Sequence, residues 1–309
     1  MSRSPSRSPA SLALAFVASA AVPVALEAQS PPETRLAAPT ARWEEPLSSI
    51  RGLRELPDGR VLVADGIDDV LLRIDLARGR ADTISRSGQG PGEYKMPDAL
   101  FAMPAGGTLV MDLGNGRLTH YLADGKYKDS WSIARGQPGR GMLMVTPQGV
   151  DTQGRIYFQA RGGGPGGPPP TSAPVIRWTP ATDKFDTLAT IKLPEVSVST
   201  SGASNNRNVT MRQKPLSAQD GWAVASDGRI GIVRADPFRV DWVDGTGKVT
   251  TGPAIPWTPV KVTDADKKAW IAAMSNGLGM MMTNENGQMS VRFMRGTGGR
   301  QAPNASEFE

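Results

Sequence analysis

The sequence predicts an all-β fold, and three observations lead there. Short apolar runs rich in β-branched and aromatic residues recur between turn signals, as in Arg60–Ala64 and Arg155–Gln159, which is the pattern of strands. Tight turns punctuate these runs at Pro57-Asp58-Gly59, Gly106-Gly107, Asp124-Gly125, Gln153-Gly154 and Asp227-Gly228. Glycine accepts a positive φ there without penalty. Finally, the turn glycines Gly59, Gly107 and Gly154 stand 48 and 47 residues apart, so the pattern repeats.

Each repeat reads as four strands. The first, about 49–87, holds Ile50–Leu56, Arg60–Ala64, Val70–Leu76 and Ala81–Ser85. The second, about 99–134, holds Leu100–Met103, Thr108–Met111, Arg117–Leu122 and Tyr127–Ile133. In the third, about 142–193, the expected strands are Met142–Thr146, Arg155–Gln159, Val175–Thr179 and Phe185–Ile191. The fourth, about 219–255, has Trp222–Ala225, Arg229–Val233, Phe238–Val243 and Lys248–Pro253. Three first turns are followed by Arg and a β-branched residue: Arg60-Val61, Arg155-Ile156 and Arg229-Ile230.

Gly154 and Gly228 are 74 residues apart. The excess falls in Arg161–Pro170 (RGGGPGGPPP) and in the polar stretch Val196–Gln213. Both are expected as surface loops, since doubling a loop costs only about 0.6 kcal/mol in closure entropy. A four-stranded sheet cannot bury both faces alone, and radial stacking of such sheets does. The prediction is therefore a β-propeller of four-stranded antiparallel blades. A two-sheet sandwich does not explain a period of whole four-strand units.

Past Trp257 the pattern changes. Thr263-Asp264-Ala265-Asp266 followed by Lys267-Lys268 predicts a short helical segment near 263–275. Residues 261–309 read as an incomplete end of the propeller.

Composition fits this class. Glycine (35) and proline (26) are abundant and the hydrophobic fraction is 39%, which suits a turn-rich β protein. The net charge of +5 comes from interspersed residues, with no basic block that would point to nucleic acid. The absence of cysteine excludes a disulfide framework, a thiol nucleophile, a lipoprotein anchor and a cysteine–zinc site.

Residues 1–28 read as a signal peptide. Arg3 and Arg7 precede the apolar run Ser11–Leu26, and Ala28 offers a cleavage position. That run is shorter than the roughly 20 residues a spanning helix needs and contains Pro23. The expected location is the periplasm or cell exterior, with no integral membrane segment after cleavage. Residues 29–47 read as a linker, rich in proline, whose Arg42–Leu47 portion can serve as a ring-closing strand.

Between the first two units lies Ser87-Gly88-Gln89-Gly90-Pro91-Gly92-Glu93-Tyr94-Lys95-Met96-Pro97. This segment together with the repeat resembles exported bacterial six-bladed β-propellers of the NHL/TolB-like kind, in which a G-x-G-P-G-E-[FY] segment links neighbouring blades. The Ile255-Pro256 end, leading through Val262-Thr263-Asp264 into a helix, is similar to the segment that succeeds their middle blades. The resemblance covers about residues 48–275. It implies six blades where four are visible, hence about 90 further residues at the observed blade size.

Several constellations are candidates for chemistry. A phosphate cradle in the glycine-rich linker would need a following helix. Here a strand follows and Pro91 removes an N–H, so Glu93 is expected to accept neighbouring amides and lock the joint. Glu93 and Tyr94 are also candidates for a ligand face. His120 is the only histidine, which excludes a histidine metal cluster and points to a structural role. Met274, Met280, Met281, Met282, Met289 and Met294 are expected as apolar filling rather than soft-metal ligands.

Resemblance to metal-dependent propellers of the gluconolactonase and amidating-lyase type implies hard-cation ligands on inner strands. The candidates in this chain are Asp65, Asp112, Asn115 and Asp236, with calcium as the ion. The leading functional expectation is a binding or interaction module that meets a protein or small-molecule ligand through loops and the channel mouth at one face. Arg161–Pro170 and 200–213 are the candidate contact loops. This reading requires no cofactor. The alternative is a calcium-dependent hydrolase or lyase.

Overall fold

The computed structural model describes residues 33–137, 141–160, 168–201, 208–275, 278–285 and 288–295. The signal-peptide reading of 1–28 lies outside them. The chain divides into Met1–Thr40 and Ala41–Glu309. Within the first unit, residues 33–40 are exposed and carry no helix or strand.

The second unit holds four four-stranded antiparallel sheets, each a meander in sequence order, and they make a β-propeller. Blade 1 consists of β1 (Ile50–Glu55), β2 (Val61–Asp65), β3 (Val70–Asp75) and β4 (Arg80–Thr83). Blade 2 consists of β5 (Pro97–Ala102), β6 (Thr108–Asp112), β7 (Arg117–Tyr121) and β8 (Tyr127–Ser132). A hairpin of β9 (Ala134–Gln137) and β10 (Gly141–Met144) comes next. Blade 3 consists of β11 (Gly149–Val150), β12 (Ile156–Gln159), β13 (Ser172–Thr179) and β14 (Lys184–Lys192).

A second hairpin, β15 (Val196–Ser201) with β16 (Asn208–Gln213), precedes blade 4. Blade 4 consists of β17 (Gly221–Val224), β18 (Ile230–Ala235), β19 (Phe238–Val243) and β20 (Val249–Thr251). Then come α1 (Asp264–Ser275) and a hairpin of β21 (Leu278–Glu285) and β22 (Gln288–Arg295). The helix begins with a reciprocal cap: Thr263 N–H donates to the Asp266 carboxylate, and Asp266 N–H to the Thr263 hydroxyl.

Three apolar cores hold successive blades together. Leu62, Ala64 and Leu71 of blade 1 pack with Val110 and Tyr121 of blade 2. Leu109, Met111 and Leu118 from the other face of blade 2 meet Ile156, Phe158 and Trp178 of blade 3. Tyr157 and Val175 of blade 3 then meet Ile230, Ile232 and Val243 of blade 4. Adjacent positions along a strand face opposite sides of a sheet, so Ile156 and Tyr157 serve different cores. The first strands β1, β5, β11 and β17 touch in series and are the inner strands.

The strand bounds differ from expectation in three places. Met142–Thr146 does not open blade 3: Gly141–Met144 folds back on Ala134–Gln137, and the opening strand is the two-residue β11. Pro147 lacks an N–H to donate and separates the two. The stretch expected as a loop, Val196–Gln213, contains a hairpin, since Val196, Val198, Thr200, Val209 and Thr210 favour strand among its polar residues. The blade 2 turn places Gly106, at φ +79, where Gly59 and Gly154 stand, so the spacings become 47 and 48 residues. Among the described residues, no helix is long and apolar enough to cross a membrane.

Candidate functional site

In a four-stranded meander, successive turns leave from opposite ends. At one end of this propeller lie the turns between first and second and between third and fourth strands. The first-to-second turns adjoin one another around the inner strands: Gly106 packs on Pro57, Gly154 on Pro104, and Thr152 N–H donates to Ser226 O. All are short. The opposite end carries the second-to-third turns and every blade-to-blade connection. There lie the Gly88–Pro97 linker, the β9–β10 and β15–β16 hairpins, and the insertion between β12 and β13. Long connections on a rigid scaffold are where binding residues concentrate.

The Gly88–Pro97 linker is a hydrogen-bonded joint. The Glu93 carboxylate accepts Gly90 N–H at 2.8 Å and the Arg86 guanidinium at 2.7 Å. The Gly90 amide, then Arg86, hold the Glu93 carboxyl below the usual carboxylate range. The carboxylate fills the space a Cβ at Gly88 would take. Tyr94 is 1% exposed, and its hydroxyl accepts Leu71 N–H of blade 1 at 3.0 Å. Burial pushes the Tyr94 phenol up.

Asp112 and Asn115 meet at this same joint. Asp112 is fully buried and accepts Lys95 N–H, Asn115 Nδ2–H and Arg117 Nε–H at 2.8, 2.8 and 2.9 Å. Asn115 Nδ2 also donates to Gly88 O, and Arg117 Nη2 to Gly90 O and Glu93 O. Burial pushes the Asp112 carboxyl up, and these donors only partly offset it.

Asp65 stands at the corresponding place in blade 1 and accepts four backbone amides, from Ser48, Ser49, Ile67 and Asp68. Burial alone raises its carboxyl, but the amides outweigh it and hold it low. Asp236 sits exposed in the blade 4 turn between β18 and β19, apart from this network. Calcium requires oxygen ligands with free lone pairs. The oxygens of Asp65 and Asp112 face N–H donors, and a guanidinium adjoins Asp112, so these residues do not fit a cation. Among the described residues, no three His, Asp or Glu side chains form a metal-ligand cluster.

His120 is 4% exposed on β7. Its Nδ1 lies 3.2 Å from the Asp129 carboxylate without hydrogen-bond alignment, and its ring approaches Trp131 at 6.0 Å. Burial, then Lys128, hold it below the usual imidazole value. Of the methionines singled out, Met274, Met280, Met281, Met282, Met289 and Met294 all have side chains outside the described set.

Three buried carboxylates were not singled out from the sequence. Asp151 accepts Gln153 N–H, Arg155 N–H, Arg155 Nε–H and the Tyr157 hydroxyl. Burial, then the bond to Asp151, push the Tyr157 phenol up to about 12. Asp241 binds Arg234 and Arg239. Asp220 accepts Lys192 N–H, Ala235 N–H and Arg234 Nη1–H at 2.9, 3.0 and 2.8 Å, tying blade 3 to blade 4. The recurring Arg after the turn glycine was the available signal. In all three cases it clamps a turn aspartate: Arg60 on Asp58, Arg155 on Asp151 and Arg229 on Asp227.

Above Asp220, at the elaborated end, a cavity of about 350 Å³ opens. Pro170, Ile191, Leu193, Pro194 and Val196 supply its apolar surface. Gln159, Lys192, Gln219 and Asp220 bring polar groups to it. Pro170 belongs to the Arg161–Pro170 contact loop expected from the sequence; residues 161–167 lie outside the described set.

No family model matches the sequence, and no curated protein matches it. Among solved structures, the chain is similar to a gluconolactonase from Xanthomonas campestris, with 14% identity over 69% of this chain and 78% of that one and a TM-score of 0.35. It is also similar to virginiamycin B lyase from Staphylococcus aureus, with 12% identity over 69% and 71% and a TM-score of 0.33. An auxiliary nutrient binding protein from Bacteroides ovatus gives 10% identity over 68% and 48% and a TM-score of 0.36. Similarity at this level says nothing of activity.

Proposed function

We propose that this is an exported β-propeller that binds a protein or small-molecule ligand at the elaborated end of its blades and the adjoining channel mouth. The carrying observation is the asymmetry of the connections. The β9–β10 and β15–β16 hairpins, the blade 3 insertion and the cavity over Asp220 share one end, and short turns occupy the other. Export to the periplasm or cell exterior is supported by Arg3, Arg7 and the apolar run Ser11–Leu26.

A six-bladed ring is supported by the far face of blade 4. Tyr157 and Val175 of blade 3 are fully buried under blade 4. On the far face of blade 4, Val233 and Trp242 are 42% and 44% exposed. A further blade of the same kind fits that face. The calcium-dependent hydrolase or lyase reading needs a cation that Asp65 and Asp112, whose oxygens face N–H donors, do not fit.

Photo-crosslinking tests the binding end. Benzoylphenylalanine at Val198 on β15 and at Gln219 should give ligand adducts in cells, and the same group at Asp58 or Asp244 should not. Adducts confined to Asp58 or Asp244 would overturn the assignment. Sequencing of the mature N-terminus tests export, with Gln29 as the expected first residue.

A further inference from the structure

We propose that the cavity over Asp220 is a site for a small amphipathic carboxylic acid, a ligand with an apolar body and one carboxylate. This rests on the reading that the elaborated end is the binding end. Three features of the cavity select that chemistry.

Its size suits a small molecule, since pockets of about 300–1,000 Å³ take ligands of this class. The volume of about 350 Å³ lies at the small end. Its surface is formed mainly by side chains without polar atoms: Ile191, Leu193, Pro194, Val196 and Pro170. An apolar ligand body gains by leaving water there, and a sugar would leave its hydroxyls facing hydrocarbon.

Charge supplies the third feature. Two charged residues line the cavity, Asp220 and the exposed Lys192. They are not equivalent. Asp220 is committed to the protein: both its oxygens are taken by the amides of Lys192 and Ala235 and by Arg234. A ligand cation would have to compete with that guanidinium. Lys192 uses its backbone N–H and C=O to hold Asp220, and its ammonium makes no ion pair among the described residues. With Arg234 neutralising Asp220, the charge left to a ligand is the positive one of Lys192. Gln159 and Gln219 also line the cavity, and carboxamide N–H groups can donate to a carboxylate.

The same residues make the cavity a fixed feature. Lys192 N–H to Asp220, Asp220 N–H to Lys192 O, and Arg234 to Thr190 O cross-link the ends of β14 and β18. Leu193 N–H donates to Thr171 O and Glu195 N–H to the Ser217 hydroxyl. The backbone around the apolar surface is thus tied on both sides, and little ordering remains to be done on binding.

The test uses 4-phenylbutanoate and its neutral amide, 4-phenylbutanamide, titrated calorimetrically into the mature chain. The acid should bind about fivefold more tightly than the amide, the worth of one partly exposed ion pair. K192Q should abolish that difference. Q219W, an exposed position at the mouth, should block both. L193W should do the same from within, with circular dichroism checking that it folds. Equal binding of acid and amide, a preference that survives K192Q, or no binding of either probe would overturn the proposal. If crosslinks still map to Val198 and Gln219 while both probes fail, the ligand class falls and the binding end stands. Crosslinks confined to Asp58 or Asp244 remove the binding end as well.

Discussion

Replacing Asp112 by asparagine keeps its shape and removes its charge from the joint between blades 1 and 2. The amide can offer only one acceptor oxygen where the carboxylate offered two. Its NH₂ group would then face Lys95 N–H or the donors of Asn115 and Arg117. Breaking a buried ion pair by removing one partner costs about 3–5 kcal/mol, because the stranded charge has no solvent to recover. Arg117 is 18% exposed and keeps Gly90 O and Glu93 O as partners, so the expected loss is smaller, about 2–3 kcal/mol. For a domain of this size that lowers Tm by about 5–10 °C. Urea unfolding followed by tryptophan fluorescence gives the free energy directly.

The double variant D112N/R117L should lie closer to the wild type than the sum of the two single losses, since it removes the charge that D112N strands. The competing idea is a cation at Asp112. It predicts that calcium raises the wild-type Tm, by about 2.7 kcal/mol of stability at 100 times the dissociation constant, and that D112N abolishes the rise. An N–H clamp predicts no calcium response in either protein. A D112N loss below about 0.5 kcal/mol, or a calcium response that D112N removes, would refute the clamp.

Tyr94→Phe removes the hydroxyl that accepts the buried Leu71 N–H, so stability should fall by about 1–3 kcal/mol; no loss in urea unfolding would contradict the joint described for Tyr94. His120, the sole histidine, should titrate by NMR with a midpoint below the ordinary imidazole value of about 6.5, because burial disfavours its charged form. The unfolded chain then binds more protons, so stability is complete above about pH 6.5 and is lost as the pH falls from there towards the folded midpoint. H120Q should flatten that part of the pH–stability curve, and a midpoint above 6.5 would mean that Asp129 dominates instead. Gly228→Ala places a methyl at φ +87 and within 2.9 Å of Arg155 Nη2, the Tyr157 hydroxyl and Asp151 Oδ2. The left-handed backbone alone costs about 1–2 kcal/mol, so a loss above that in urea unfolding is expected, and an unchanged midpoint would rule out this packing.

The repeat was legible because each blade repeats the same local chemistry. Alternating apolar residues specify which face meets which neighbour, and a glycine at positive φ closes the first turn of every blade. The strands Val61–Asp65, Ile156–Gln159 and Ile230–Ala235 all begin one or two residues after such a glycine. Less legible were the pieces that break the repeat. Ser197, Ser199 and Ser201 read as loop, yet Val196, Val198 and Thr200 make the same stretch a strand once β16 pairs with it. Pairing partners are non-local, and composition over a short window does not reveal them. In the joint between blades 1 and 2, Glu93, Tyr94, Asp112 and Asn115 were visible because they sit in a distinctive motif or after a strand. Asp220 was not, because an aspartate before a Gly-Trp strand looks like any turn residue. Its importance comes from Arg234, Lys192 and Ala235, which the fold alone brings to it.

The buried carboxylates explain why an open architecture of separate sheets holds its geometry without disulfides. Apolar cores between blades fix the distance between sheets but not their sliding, because dispersion contacts are non-directional. The polar links are directional, and two of the networks sit at blade-to-blade connections. Arg117 and Asn115 tie the first linker to Asp112, and Arg234 and Asp220 tie the third to blade 4. Both networks lie at the elaborated end, beside the cavity and the hairpins. The end that carries the long connections is therefore held in register by these networks. A ligand there meets a surface already set, and at the short-turn end the blades are tied as well, by Arg54 to Gly107 O, Thr152 N–H to Ser226 O and Arg177 to Gly245 O.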